Sequence, residues 1–240
     1  MQPLRVAVVT DLVYPPVIGA CKVSFRLLGL KLNVQGGANI PTAGAGVLAS
    51  NHVSHLDFIF AGLGARPSKR YVRFMAKDSI FRHRIAGPLM RGMHHIAVDR
   101  DAGLQSYRDA MSALRDGEIV GIFPEATISR SFEPKDFKSG AERLAAATKV
   151  PLIPMGLWGT QRLWTYDERS TLKQRGVPIQ IFVGEPIDSS GDKSVVAAEL
   201  HRSVVELVHQ AQDSYPDDGV GQWWQPTRLG GAALPPNLVE

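Results

Sequence analysis

Short apolar runs alternate with helix-compatible stretches along most of the chain, and that alternation limits the fold more than any other feature. Residues 47–49, 71–76, 118–123, 152–156 and 178–183 each read as a strand. Between them, residues 101–116 carry acids at the start and Gly117 where a helix C-terminal cap belongs, and residues 139–148 and 194–211 are further helix candidates. Strands separated by helices cover their sheet on both faces. The spacing therefore predicts an α/β fold: a single domain with a mixed, largely buried sheet flanked by helices. A chain of 240 residues, 44% of them hydrophobic, buries such a core without staples. The lone Cys21 excludes an internal disulfide framework and suits a reducing compartment.

The ends read differently. Residues 12–30 are the most membrane-like segment, but Pro15 and Pro16 interrupt them and Lys22 and Arg26 fall near the middle, so they do not read as a spanning helix. Val17, Cys21, Phe25 and Leu28 recur at helical spacing, which predicts either an amphipathic helix in the lipid headgroup zone or an ordinary helix packed on the domain. Residues 33–46 read as a connecting turn region. The tail from Asp213 onward is rich in Pro and Gly, and Trp223 and Trp224 are expected to dock on the domain. The organisation read from this is an N-terminal amphipathic, membrane-contacting segment (1–36), a main domain (37–211) and an irregular tail (212–240). The N-terminus lacks the pattern of a signal peptide, so the expected location is cytoplasmic.

The net charge of +4 is unevenly placed. Residues 66–100 hold nine Lys or Arg against two acids, a basic stretch that would attract anionic partners such as lipid headgroups or phosphorylated substrates. No zinc-finger spacing or aromatic RNA-binding block accompanies it, which argues against nucleic acid as a partner.

The stretch Ser50-Asn51-His52-Val53-Ser54-His55-Leu56-Asp57 follows a strand candidate and leads into a helix-compatible run. Five helical steps of about 100° do not align two side chains. His52 and Asp57 meet only if His52 sits in the turn before the helix and Asp57 in its first turns. Such a pair fixes one imidazole tautomer and leaves the other nitrogen free as a base for a hydroxyl. Further along, residues 122–130 place Glu125 and hydroxyls just past a strand end, where ligand sites in α/β sheets gather.

These blocks, taken in order, resemble the glycerolipid acyltransferases typified by lysophosphatidic acid acyltransferase. They are Asn51-His52 to Asp57, Ile96 to Arg100, Phe123-Pro124-Glu125-Ala126-Thr127-Ile128-Ser129, and Val150 to Pro154. The resemblance implies an enzyme that moves an acyl chain from a thioester to a hydroxyl of lysophosphatidic acid or a related lysophospholipid, at the cytoplasmic face of a membrane. It implies His52 as base, Asp57 as its orienting partner, and Arg100, Glu125 and Thr127 as contacts for the acceptor. Lys138 is a further candidate phosphate contact. Acyl-CoA or an acyl carrier protein would be the donor, with no metal and no redox cofactor. The oxyanion is expected to find backbone N–H donors near the start of the helix that carries Asp57. Two positions depart from the family pattern. Ala126 stands where Gly is usual, so a left-handed backbone there would be strained, and Ile128 stands where Arg is common, with Arg130 two residues on. Two other readings remain beside this one: a metal-dependent hydrolase using His52, His55 and Asp57 with His83, His94 or His95, and a non-catalytic lipid-binding module.

Overall fold

The computed structural model describes residues 11–99, 103–166 and 173–238. Its seven strands are β1 (Lys31–Gln35), β2 (Gly46–Ser50), β3 (Val72–Lys77), β4 (Ile96–Val98), β5 (Ile119–Ile122), β6 (Leu152–Trp158) and β7 (Pro178–Val183). They form one sheet in the order β1-β7-β6-β2-β5-β3-β4. Every neighbouring pair is parallel except β6 with β7, so the sheet is mixed, as the alternation predicts. All positions of β2, β6 and β7 are buried. Strands covered on both faces read as continuous apolar runs in place of an alternating pattern, which is why they stand out in the sequence.

The helices are α1 (Tyr14–Leu27), α2 (Asp57–Gly64), α3 (Asp78–Phe81), α4 (Ala86–Gly92), α5 (Gly103–Arg115), α6 (Ala141–Thr148) and α7 (Lys193–Asp213). Phe25 of α1 and Phe60, Ala61 and Leu63 of α2 pack on one face of the sheet. Ala110 and Leu114 of α5, Leu144 of α6, and Val196, Leu200, Val204 and Val208 of α7 cover the other. Gly156 lets α7 sit directly on β6, because a Cβ there would lie 2.7 Å from the Leu207 carbonyl carbon. Gly117 caps α5 with a positive φ of 85°, as its position in the sequence predicts.

Three features differ from, or choose between, the expectations. Residues 33–46 are not all turn: Lys31–Gln35 forms the edge strand β1, paired in parallel with β7. Its five side chains are exposed, so it carries no buried apolar pattern to read. The helix near the N-terminus starts with Pro15 and Pro16 in its first turn, where a missing N–H costs nothing. Its inward stripe runs through Tyr14, Ile18, Cys21 and Phe25, shifted from the predicted one, and packs on the domain core. The tail beyond α7 docks: Trp224 is buried in a cluster with Val53, Phe132 and Trp158. Among the described residues, no helix is long and apolar enough to cross a membrane.

The basic stretch is only partly a surface. Arg73 is buried, held by Asp11 at 2.6 Å and Glu118 at 3.0 Å, and Arg70 donates to the carbonyls of Pro41, Gly44 and Gly117. These two guanidiniums brace the sheet edge and are not available to a partner.

Candidate active site

The site lies where β2 and β5 end. Asn51, the residue after β2, is fully buried and extends the strand pairing with its side chain: its Nδ2 donates to Leu157 O at 3.0 Å and its Oδ1 accepts from Leu157 N at 2.7 Å. That bracket fixes the exit of the chain, and His52 follows it into the turn before α2.

Asp57 is the first residue of α2, so the geometry that allows the pair to meet is the one observed. Asp57 Oδ2 lies 2.9 Å from His52 Nδ1 and accepts from the N–H groups of Val53 and Ser54, both at 2.7 Å. Its Oδ1 accepts from Thr160 Oγ1 at 2.5 Å. The Asp57 side chain is 0% exposed and that of His52 is 20% exposed. A buried carboxylate with four donors is held rigidly. With Nδ1 donating to it, His52 presents Nε2 as an acceptor on its partly open side. The imidazole stacks on Phe123 at 4.3 Å, and Phe123 stacks in turn on Phe74 at 5.8 Å.

The turn after β5 is tied to the same histidine. Glu125 Oε1 accepts from His52 N at 2.9 Å, and Ser129 N donates to His52 O at 2.7 Å. Glu125 is 4% exposed, its Oε2 has no hydrogen-bond partner among the described residues, and burial pushes its carboxyl up to about 8. Thr127 is exposed and its hydroxyl accepts from Lys135 Nζ at 2.5 Å. Lys138 donates its backbone N–H to Pro124 O at 2.8 Å while its side chain is exposed. The structure thus brings His52, Asp57, Glu125 and Thr127 to one end of the sheet, with Lys138 beside them. Arg100 lies outside the described residues.

One expectation needs correction. Backbone N–H groups ahead of α2 are engaged: those of Val53 and Ser54 by Asp57, that of His55 by Trp164 O, and that of Leu56 by Ser54 Oγ. They are not free to receive an oxyanion. Ala126 does adopt a left-handed backbone, with φ 62°, so the turn keeps the conformation that glycine would adopt without strain. Ile128 is buried, so a cation at that position would have to leave the core.

Sequence reasoning missed Thr160 and Lys135. Thr160 reaches Asp57 across 103 residues of chain, from a 3-10 turn at Thr160–Arg162 that follows β6, and nothing local marks it. Its neighbour Gln161 donates to Trp224 O at 3.2 Å, so the docked tail braces the turn that braces Asp57. The histidines of the metal reading are dispersed into structural duties. His83 Nδ1 accepts from Ile85 and Ala86 N–H, and His95 is buried, accepts from Phe74 N, and is pushed down to about 3 by desolvation and by Arg73. Among the described residues no three His, Cys, Asp or Glu side chains gather as a candidate metal site.

The chain that carries this site is similar in sequence and fold to other proteins. The family model described as Acyltransferase matches residues 31–158, which span β1 to the end of β6 and contain His52, Asp57, Glu125 and Thr127. The 1-acyl-sn-glycerol-3-phosphate acyltransferase of Bacillus subtilis is 29% identical over 192 residues, covering 80% of this chain and 90% of that protein. The enzyme of the same name from Borreliella burgdorferi is 30% identical over 178 residues, covering 70% of this chain and 67% of that one. The crystal structure of the 1-acyl-sn-glycerophosphate acyltransferase PlsC from Thermotoga maritima superposes with a TM-score of 0.70 at 22% identity, covering 85% of this chain and 81% of that one. That last likeness concerns the fold, and the first two concern sequence over most of both chains. The chain belongs to the acyltransferase family.

Proposed function

We propose that this protein transfers a fatty acyl chain from an acyl thioester, carried by coenzyme A or an acyl carrier protein, to a hydroxyl of lysophosphatidic acid or a related lysophospholipid. The observation that carries the reading is the His52–Asp57 pair: a saturated, buried carboxylate fixing a partly exposed imidazole through Nδ1, which leaves Nε2 for the acceptor. His52 Nε2 takes the proton of the acceptor hydroxyl as its oxygen bonds to the thioester carbonyl carbon. Collapse of the tetrahedral intermediate breaks the C–S bond, and the imidazolium returns the proton to the departing sulfur. The products are an ester and a thiol. No covalent enzyme intermediate and no redox or metal step is required.

The acceptor's phosphate would be held by Arg100, Glu125 and Thr127, with Lys138 and Lys135 as flanking cations. Glu125 fits this role in its protonated form. Burial raises its carboxyl to about 8, which favours the protonated form that can donate through Oε2, whereas an ionised one would repel a phosphate. The names of the Bacillus and Borreliella relatives support the acceptor class. Their substrates, like the acceptor proposed here, are lipids, which is consistent with action as a peripheral protein on the cytoplasmic face of a membrane.

The test is thiol release from a fatty acyl-CoA with lysophosphatidic acid and a panel of other lysophospholipids, comparing wild type with His52→Ala. Release that depends on one acceptor and vanishes in the variant is the expected result. Absence of release with every acceptor, and with acyl carrier protein as donor too, would leave a lipid-binding module as the better reading.

A further inference from the structure

The turn that carries His52 is cradled by chain that lies more than 100 residues away in sequence. Residues 160–165 follow β6 and hold residues 53–57 at four points. Thr160 Oγ1 donates to Asp57 Oδ1, and Trp164 O accepts from His55 N at 3.0 Å and from Ser54 Oγ at 2.6 Å. Thr165 Oγ1 donates to Val53 O at 3.0 Å. This cradle is a short 3-10 turn and a loop, and its other side is held by the tail. Tyr215 Oη donates to Pro178 O at 3.0 Å, and Pro178 opens β7, which runs antiparallel to β6. The tail therefore starts beside the end of β6, where the cradle begins. Gln161, fully buried, donates to Trp224 O at 3.2 Å. Arg162 Nη1 donates to Tyr215 Oη and to Asp217 Oδ2, and its guanidinium lies 4.5 Å from the centre of the Trp224 ring. A cation over a buried indole is attracted to the ring face, so the contact fixes direction as well as distance.

The same tail grips the loop beyond Glu125. Phe132 is 1% exposed and has a φ of 61°, a left-handed backbone that strains a bulky residue. Such a conformation persists only where its surroundings impose it. Phe132 belongs to the cluster of Trp224, Val53 and Trp158, and its ring meets that of Trp223 edge-on, with centroids 6.1 Å apart. The next residue, Glu133, accepts at Oε1 from Arg228 Nε at 2.6 Å, and Arg228 Nη2 donates to Gln212 Oε1 on α7. Two residues further, Lys135 reaches Thr127. The loop that presents Thr127, Lys135 and Lys138 is thus tied down near its middle.

We propose that the tail, residues 215–233, is a working part of the active site and that Arg162 and Arg228 are its positioning residues. Arg162 fixes the cradle and with it the orientation of Asp57 and His52, whereas Arg228 fixes the loop that meets the acceptor. The proposal rests on the acyl-transfer reading for its effect on rate. Packing alone would account for the seat of Trp224, but it does not call for two guanidiniums, each joined to a different segment that borders the site. Charge-assisted hydrogen bonds are directional and hold a geometry more narrowly than apolar contact does. Transfer of a proton between a hydroxyl and a fixed imidazole tolerates little misplacement.

The experiment compares the full wild-type chain with Arg162→Gln, Arg228→Gln and Trp224→Leu, each held at a temperature where its denaturation curve shows it folded. Two readouts are taken: kcat and acceptor KM for thiol release, and the downfield Nδ1–H resonance of His52. Arg162→Gln is expected to lower kcat roughly fivefold with KM unchanged, and to shift the resonance. Arg228→Gln is expected to raise KM roughly fivefold while kcat and the resonance stay as in wild type. Trp224→Leu, where the two arms meet, should do both. Arg162→Lys keeps a charge opposite Asp217 and should return most of the rate. Folded variants that lose thermal stability yet keep wild-type kcat, KM and resonance would reduce the tail to packing and overturn the proposal. The same change in both arginine variants would mean a general loosening and overturn it too. A wild type that releases no thiol from any donor would sink the acyl-transfer reading, and the resonance would then decide alone. A shift in Arg162→Gln and Trp224→Leu but not in Arg228→Gln would uphold the positioning of His52, and no shift would overturn it.

Discussion

Two buried carboxyl groups share this site and are supplied with hydrogen bonds in opposite measure. Asp57 accepts from His52, Val53, Ser54 and Thr160, so both of its oxygens are satisfied within the protein. Glu125 holds the backbone N–H of His52 with Oε1, has the backbone N–H of Lys135 nearby, and leaves Oε2 without a hydrogen bond at normal distance among the described residues. A buried polar atom without a partner is costly, and a ligand that supplies the missing bond recovers that cost on binding. On the proposed function the contrast separates the tasks: Asp57, satisfied within the protein, would orient its histidine, whereas Glu125 would have an oxygen left for the acceptor.

The largest effect that this contrast predicts is at Asp57. Asp57→Asn keeps the shape but replaces an acceptor by an amide that can donate to Nδ1, which favours the wrong imidazole tautomer. We expect kcat/KM for acceptor-dependent thiol release to fall by roughly 10³–10⁴-fold, about as much as in His52→Ala. A variant within tenfold of wild type would mean that the pair is a turn-stabilising contact and not the reacting unit.

Glu125 should show itself in stability against pH. Its folded value of about 8 lies above the ordinary 4.5, so the folded protein keeps a proton that the unfolded chain has lost between those limits. Wild-type stability should therefore decline, relative to Glu125→Gln, as pH rises from about 4.5 to about 8, and the difference should then level off. The total is on the order of 5 kcal/mol, read from paired denaturation curves across that range. Parallel curves for the two proteins would show that Glu125 ionises in the folded state without penalty and would erase the distinction from Asp57.

Thr160 tests the other half of the comparison on a smaller scale. Thr160→Val removes one of four donors while preserving shape. We expect kcat to fall roughly tenfold with KM unchanged, because the imidazole loses orientation and the acceptor site is untouched. Thr160→Ser should restore most of the rate, and the downfield Nδ1–H resonance of His52 should move in the valine variant and return in the serine one. A fall in stability without any change in kcat or in that resonance would reduce Thr160 to loop packing.

How much of this was legible in the sequence depends on how local each contact is. His52 and Asp57 are five residues apart, so the strand-turn-helix reading was enough to bring them together. The five strands read from apolar runs are present because burial on both faces leaves an unbroken apolar signature. β1 left none, since its place is set by backbone pairing to β7 at an edge. Thr160, the bracket from Asn51 to Leu157, and the seat of Trp224 all depend on partners more than 60 residues away, which no periodicity reports. Charge counting misled for the same reason. Arg73 adds to the basic stretch on paper, but in the fold it is neutralised by Asp11 and Glu118.

The smallest effect concerns Ala126, where the turn that presents Glu125 asks an alanine to hold φ at 62°. The left-handed region costs a residue with a Cβ about 1 kcal/mol relative to glycine. The turn keeps this conformation because Ala126 N donates to Phe123 O at 3.0 Å, while Glu125 and Ser129 on either side are tied to His52. Ala126→Gly should therefore stabilise the folded protein, but by less than the strain it relieves, since glycine also loses more backbone freedom on folding. A net gain of about 0.5–1 kcal/mol in chemical denaturation, with kcat unchanged, is the expected result. A gain in stability accompanied by a loss in kcat would carry a different lesson: the strain at Ala126 would then be part of how Glu125 is held with Oε2 uncovered, and the starved carboxyl of this site would depend on a tense turn as well as on burial.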